Sequence, residues 1–356
     1  MKEIREYIDL RSDTVTLPTE EMLDAIKHAK FGDDVFREDP TVNELQDMAA
    51  KKMGKDAALL VTSGTQANLV SLMSNTKHGD AVILEAESHI FYYEVGSLSA
   101  IGGLLPMTVK GNLGVLDPKD IEAAIRPKDI HFPEQTLVCI ENTHNRAGGT
   151  ITTPEQIKTI SEVVKAHSLR LYMDGARIFN AAVAMNVNVR EFTKYVDNMM
   201  FCLSKGLSCP IGSLVVGNQE FVEKARKIRK ILGGGMRQAG VIAAPGIIAL
   251  EKMIARLEED HKNAKFMAER LSKIEGISVN LKIVQTNIFN FNISDLGVTS
   301  IDFVTKLKNH GVLLLTRDRN NIRVVTHRGI EEEHIESALD AIEKVVKEIK
   351  GEKKRI

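Results

Sequence analysis

The sequence predicts an α/β protein: a large domain on a mostly parallel sheet, of the aminotransferase-like kind, followed by a smaller α+β domain. Two observations predict it. Through the first two thirds of the 356 residues, short apolar runs alternate with helical patterns, and such alternation implies a parallel sheet covered on both faces. The last third changes character, with a long helical stretch, three strand candidates and a closing amphipathic helix.

Strand candidates in the first part are 57–61, 81–84, 137–140, 169–173, 199–203 and 214–216. The helices between them have readable starts. Asp117-Pro118 places an N-cap before a first-turn proline. Thr153-Pro154-Glu155-Gln156 has the spacing of a capping box. In the last third a helical stretch at roughly 244–274 precedes strand candidates 287–292, 312–315 and 322–325. The final helix carries Ile335, Ala338, Leu339, Ile342, Val345, Val346 and Ile349 on one face. The expected division is therefore 1–250 and 251–356.

Composition excludes several classes. Lys plus Arg is 47 against 48 for Asp plus Glu, so no basic field exists to attract nucleic acid. The basic stretch from Lys224 to Lys230 reads as a solvated helix face. Cys139, Cys202 and Cys209 do not make a disulfide framework, and no C-x-x-C or H-E-x-x-H spacing occurs; a metal is left unassigned. The longest apolar run, 239–250, is too short to span a bilayer and holds Pro245. With no apolar signal core at the start, no membrane partner and a cytoplasmic setting are expected.

Four segments carry the chemistry. In Phe201-Cys202-Leu203-Ser204-Lys205-Gly206 a lysine follows an apolar strand; burial there disfavours the ammonium and suits imine formation with an aldehyde. Asp174, in Met173-Asp174-Gly175-Ala176-Arg177, ends another strand. A carboxylate so placed can pair with the protonated ring nitrogen of pyridoxal 5′-phosphate (PLP), making the ring an electron sink. Val61-Thr62-Ser63-Gly64-Thr65-Gln66 joins a strand to a helix start, a turn whose N–H groups cradle a phosphate. Ser88-His89 follows a fourth strand, where an imidazole can lie on a cofactor ring. Each has an ordinary structural reading: a surface lysine, an aspartate N-cap, a capped turn, a loop histidine. Together they follow strands of one parallel sheet, whose carboxyl ends are where ligands bind.

These segments, in this order, resemble the low-specificity L-threonine aldolases, PLP-dependent enzymes of fold type I. The resemblance runs nearly end to end. It includes Asp9-Leu10-Arg11-Ser12-Asp13-Thr14-Val15-Thr16, Gly32-Asp33-Asp34-Val35, Glu141-Asn142-Thr143-His144-Asn145, Asp174-Gly175-Ala176-Arg177, Leu203-Ser204-Lys205-Gly206 and Gly233-Gly234-Gly235-Met236-Arg237-Gln238. It implies a lyase that cleaves L-threonine, L-allo-threonine and related β-hydroxy amino acids to glycine and an aldehyde. It implies that Lys205 holds PLP as an imine, that Asp174 pairs with the ring nitrogen and that His89 stacks on the ring. Ser63, Gly64 and Thr65 would hold the phosphate, with Arg237 reaching in from a neighbouring subunit of a homo-oligomer, a dimer of site-sharing subunits assembled as a tetramer. Ser12, Arg177 and Arg323 would grip the substrate carboxylate; Arg177 also borders the cofactor. Tyr93 and His131 would line the substrate side chain, and a water held by His89 and His131 would take the β-hydroxyl proton. Phe36-Arg37 depart from the usual Tyr-Gly, which bears on substrate preference rather than cofactor. A PLP-dependent β-eliminating lyase or small-amino-acid racemase would share every cofactor residue and differ in product. A non-catalytic PLP-binding descendant would have lost Lys205, Asp174 or the arginines, which are present.

Overall fold

A computed structural model describes residues 7–353. The chain forms two compact units: a larger one from Leu17–Arg146 and Ile151–Ile254, and a smaller one from the described residues up to Thr16, Ala147–Thr150 and the chain from Ala255 onward. The start of the chain falls with the smaller unit because its first strand, β1 (Ile8–Asp9), pairs with a strand near residue 312, and Leu10 is buried in that unit's core.

The larger unit holds β2 (Ala57–Val61), β3 (Ala81–Glu85), β4 (Leu105–Val109), β5 (Gln135–Glu141), β6 (Arg170–Asp174), β7 (Asn198–Cys202) and β8 (Ser213–Gly217). They form one sheet in the order β2-β8-β7-β6-β5-β3-β4. β8 lies antiparallel to both neighbours, and the other pairings are parallel. Every residue of β3, β7 and β8 is buried, as expected of strands covered on two faces. β4 escapes the apolar-run reading because it is a half-exposed edge strand that contains Pro106, and a proline is tolerated at an edge. Thr153 and Gln156 make the expected capping box, and Asp117 caps a helix with Pro118 in its first turn.

The smaller unit contains β9 (Ile288–Asn292), β10 (Val312–Leu313), β11 (Leu315–Thr316) and β12 (Asn321–Val325). β11, β12 and β9 form an antiparallel sheet, and β1 pairs parallel with β10. The face expected of the last helix, Glu332–Lys353, is buried from Ile335 to Ile349 against Phe289, Phe303 and their neighbours. The helical stretch expected at 244–274 is three segments: Gly240–Ile248, a wide π turn Ala249–Met253, and Leu257–Leu271. Ala249, Leu250, Met253 and Leu257 are buried in turn, so the apolar pattern runs through these breaks without registering them. Among the described residues no helix is long and apolar enough to cross a membrane.

Candidate active site

β2, β3, β5, β6 and β7 run in one direction, so their carboxyl ends share one edge of the sheet. The turns leaving that edge hold Ser63-Gly64-Thr65, Ser88-His89, Asn142 and Lys205, and Asp174 is the last residue of β6. Five separate segments of sequence are thereby brought to one place.

The turn after β2 is a built helix start. Ser63 caps Gly64–Asn75, its hydroxyl accepting from the Gln66 amide at 3.2 Å. The amide and hydroxyl of Thr62 both donate to Gln66 Oε1 at 3.0 Å. The first backbone bond of the helix runs from the Ala67 amide to the Ser63 carbonyl, so the Gly64 and Thr65 amides precede the ladder. Gly64 packs closely on β7: a Cβ there would stand 3.0 Å from Cys202 Sγ. Gly234 presses on the same turn, since a Cβ on it would meet the Gln66 side chain at 2.3 Å.

Behind the turn lies a buried polar network. Asp174 is 2% exposed, Glu94 1% and Asn68 1%. Asn68 Nδ2 donates to Glu94 Oε1 at 2.7 Å and to Asp174 Oδ2 at 2.8 Å, while Asn68 Oδ1 accepts from the Tyr172 hydroxyl at 2.7 Å. The Ala176 amide donates to the other oxygen of Asp174 at 3.0 Å. His89 Nδ1 lies 2.9 Å from Glu94 Oε1, and the His89 amide donates to Glu141 Oε2 at 2.6 Å. Burial alone would push the imidazole of His89 down; the bond to Glu94 and the charges of Asp174 and Glu141 override it and hold it above its ordinary value. Burial, and then the charge of Asp174, raise the carboxyl of Glu94.

Lys205 heads a tight turn in which the Ser208 amide donates to its carbonyl at 2.9 Å and the Cys209 amide to that of Leu203 at 3.1 Å. Arg177 is buried and precedes the helix Ile178–Met185. Tyr93 sits beside His89, ring centroids 5.4 Å apart. Its hydroxyl accepts from Arg146 at 2.8 Å, and the Arg146 guanidinium lies 3.9 Å over the Tyr92 ring.

A second buried pair braces this edge. Glu85, at the end of β3, meets His144 Nε2 at 2.9 Å, with both side chains 4% exposed or less. Burial would raise the Glu85 carboxyl, but His144 and the amides of Glu87 and Gly111 bring it below its ordinary 4.5. Burial would lower His144, but Glu141 and Glu85 lift it above 6.5. A lowered carboxyl stabilises the fold above 4.5 and loses that contribution as pH falls through its native value. A raised histidine stabilises fully below 6.5 and loses that contribution as pH rises through its native value. The pair is therefore strongest between pH 4.5 and 6.5. His144→Gln is expected to cost about 3 kcal/mol near pH 5.5 and less as pH rises through the native value of His144, read as the gap between wild-type and variant melting temperatures. A gap that does not change with pH would count against a charged pair.

His131 does not join this edge. His131 lies on the loop before β5, at the amino end of the strand, with its side chain 77% exposed and 2.5 Å from Asp129. One protomer therefore does not pair it with His89 around a water, because a residue before a strand and one after its parallel neighbour leave opposite edges. Arg237 is ion-paired with Asp33 of its own chain at 2.9 Å and is half exposed. Ser12 and Arg323 belong to the smaller unit. There Ser12 Oγ accepts from the Thr14 amide at 3.2 Å, and Arg323 donates to the Arg11 carbonyl at 3.0 Å. Phe36 is 67% exposed, and Arg37, which follows it at φ 63°, pairs with Glu223.

This arrangement can be set against known proteins. The model of the beta-eliminating lyase family matches residues 9–294. The chain belongs to the beta-eliminating lyase family. It is 43% identical over 348 residues to low-specificity L-threonine aldolase 1 of Arabidopsis thaliana, covering 96% of this chain and 97% of that protein. It is 41% identical over 329 residues to the low specificity L-threonine aldolase of Escherichia coli K12, covering 92% and 96%. The alanine racemase TOXG of Cochliobolus carbonum is 32% identical over 352 residues, covering 95% and 87%. A solved threonine aldolase from Leishmania major superposes with a TM-score of 0.82 at 20% identity, covering 95% and 99%, which shares the fold. The chain is a lyase, and its central sheet is that of fold type I enzymes.

Two residues of the network escaped the sequence reading. Asn68 stands one turn into a helix, and Glu94 follows Phe91-Tyr92-Tyr93. A lone carboxylate in an aromatic run was the available signal for Glu94; nothing local distinguishes Asn68.

Proposed function

We propose that this chain cleaves the Cα–Cβ bond of β-hydroxy amino acids, L-threonine and L-allo-threonine among them, to glycine and an aldehyde, with PLP as cofactor on Lys205. The observation that supports it most is the buried Asp174–Asn68–Glu94–His89 network on the edge that also carries the phosphate-type turn and Lys205. The donor set fits the cofactor. Two buried carboxyl groups stand beside one imidazole, their polar atoms within 4.8 Å, so the cluster holds more acids than bases. A pyridinium N–H is the cation such a site calls for.

PLP, when bound, supplies the electron sink for the pair released by Cα–Cβ cleavage. The chain supplies the rest. Lys205 offers the amine that holds the cofactor, and Asp174 takes the ring N–H. The Gly64 and Thr65 amides and the Ser63 hydroxyl bind the phosphate at a helix start. Arg177 presents a planar fork to the substrate carboxylate. His89 covers one face of the ring and takes the β-hydroxyl proton, directly or through water. Tyr93, held by Arg146, lines the space for the substrate side chain.

Product analysis tests this reading. Purified protein with PLP should convert L-threonine and L-allo-threonine to glycine and acetaldehyde. Pyruvate and ammonia would point to β-elimination. Turnover of alanine between its enantiomers, without aldehyde, would favour the racemase reading that the TOXG relative raises.

Assembly and setting belong to the same proposal. Phe31 and Val241 are exposed, Phe31 lying against Gly240, which directly precedes Val241; a second copy is the natural cover for such a patch. Arg237 would then serve a partner's phosphate site. If so, mixing Lys205→Ala and Arg237→Ala protomers should restore about a quarter of wild-type activity once subunits exchange, because half of the dimers are mixed and each has one intact site of two. No recovery after confirmed exchange would place Arg237 in its own site. The three cysteines are buried and unbridged, which supports a reducing, cytoplasmic setting.

A further inference from the structure

Glu94 is a buried carboxyl group, and the cleavage reaction as derived above does not use it. Its two oxygens differ. Oε1 accepts from Asn68 Nδ2 at 2.7 Å and faces His89 Nδ1 at 2.9 Å, whereas Oε2 is buried without a hydrogen-bond partner. Asn68 cannot be turned over. Its Nδ2 stands between two carboxylates, which need donors, and its Oδ1 receives the hydroxyl of Tyr172, a phenol kept protonated by burial and by the nearby charge of Asp174. The amide hydrogens are thus shared out, one to Glu94 and one to Asp174. As a carboxylate Glu94 has no hydrogen of its own to give, so Oε1 accepts from both of its neighbours. The partner of an acceptor must donate, so His89 carries its hydrogen on Nδ1.

We propose that Glu94 is a positioning residue of the cleavage reaction: through Oε1 it fixes the tautomer and ring orientation of His89, leaving Nε2 as the nitrogen that receives the β-hydroxyl proton. The step balances simply. The hydroxyl O–H bond breaks, Nε2 gains the proton, and the oxygen keeps the electron pair. The imidazolium so formed faces the carboxylates of Glu94, Asp174 and Glu141, and its charge is offset where it appears. Asn68 has a second effect. By bridging Glu94 and Asp174 it couples the residue that holds the imidazole to the residue that holds the ring nitrogen, so the two sides of the site are set by one amide. This inference rests on the cleavage reading for its consequence, but not for its geometry.

The test reads the geometry apart from turnover. The full-length PLP-free protein is labelled with diethyl pyrocarbonate, which attacks the neutral imidazole, and labelling of the His89 peptide is followed against pH by mass spectrometry. The wild-type midpoint should lie above the ordinary histidine value of about 6.5, and Glu94→Gln should lower it by about one pH unit. In the loaded enzyme Glu94→Gln should reduce kcat about tenfold or more while KM stays within about threefold, and the acid limb of the kcat/KM profile should move to lower pH by the same interval. Adding Glu94→Gln to His89→Asn should cause little further loss, because both disable one unit. An unchanged labelling midpoint, or losses that multiply in the double variant, would overturn the proposal. Should Glu94→Gln fail to fold, Glu94→Asp withdraws the same charge by one methylene; its midpoint must fall below wild type, and a wild-type midpoint refutes the contact. A wild-type protein that shows the raised midpoint but cleaves no β-hydroxy amino acid would sink the function and leave the His89–Glu94 contact standing.

Discussion

Lys205→Ala is expected to keep the fold, lose covalent PLP with its visible absorbance, and lose at least about 1,000-fold in cleavage. The turn at 203–209 is closed by main-chain bonds, from Ser208 to the Lys205 carbonyl and from Cys209 to that of Leu203. None of these needs the lysine side chain, so the turn itself should survive the substitution, and a cooperative melting transition should be retained. Borohydride reduction of the wild-type protein should fix the cofactor on the peptide that contains Lys205. Lys55 is the instructive control. Burial lowers its amine, only partly offset by Asp197 and Asp56, which makes it chemically suited to imine formation. It stands just before β2, however, at the amino end of that strand. Label on Lys55 would show that a perturbed amine suffices without the carboxyl-edge cluster, and the assignment of Lys205 would fall.

What the sequence discloses and what it hides follow from the range of the interactions. Lys205, Asp174, His89 and the Ser63-Gly64-Thr65 turn are each legible because each follows an apolar run, and parallel strands put all their carboxyl ends on one edge. The strand at 57–61 matches β2 residue for residue, and those at 81–84, 137–140 and 214–216 are short of β3, β5 and β8 by one to three residues. The terminal Glu85 and Glu141 lie beyond the apolar runs because they are charged, yet they are buried through contacts with loops. β8 could not be seen as antiparallel, since its apolar run reads the same in either direction. Asn68 and Glu94 become functional only by proximity: Asn68 meets Asp174 across 106 positions of sequence. His131 shows the converse. Its place in the resemblance is clear, but the loop before β5 leaves it exposed on Asp129, and only a neighbouring copy or a moved loop would bring it to the edge that carries His89.

Asp174→Asn is the substitution that should separate charge from shape at the ring-binding position. Both oxygens of Asp174 accept, one from Asn68 and one from the Ala176 amide. An asparagine must present an NH2 group to one of these donors, and Asn68 cannot turn to receive it because Tyr172 holds its oxygen. A buried donor facing a donor costs about 1–3 kcal/mol, which should appear as a lower melting temperature in the PLP-free protein. The chemical loss should be larger. Without a carboxylate opposite it, the pyridine nitrogen has no reason to stay protonated, and the ring loses much of its capacity to accept electrons. We expect at least about a 100-fold loss of kcat and about a tenfold weaker hold on PLP. Glu94, relieved of its neighbour's charge, should also ionise more readily, because Asp174 is one of the influences that raise it. Reconstitution with N-methylated PLP distinguishes the two effects. A ring that carries a fixed positive charge does not need Asp174 to keep it, so the analogue should recover part of the turnover in Asp174→Asn while leaving the melting temperature of the PLP-free variant where it was. A variant that turns over at the wild-type rate with ordinary PLP would mean that the ring nitrogen needs no charged partner here, and the role given to Asp174 would be wrong.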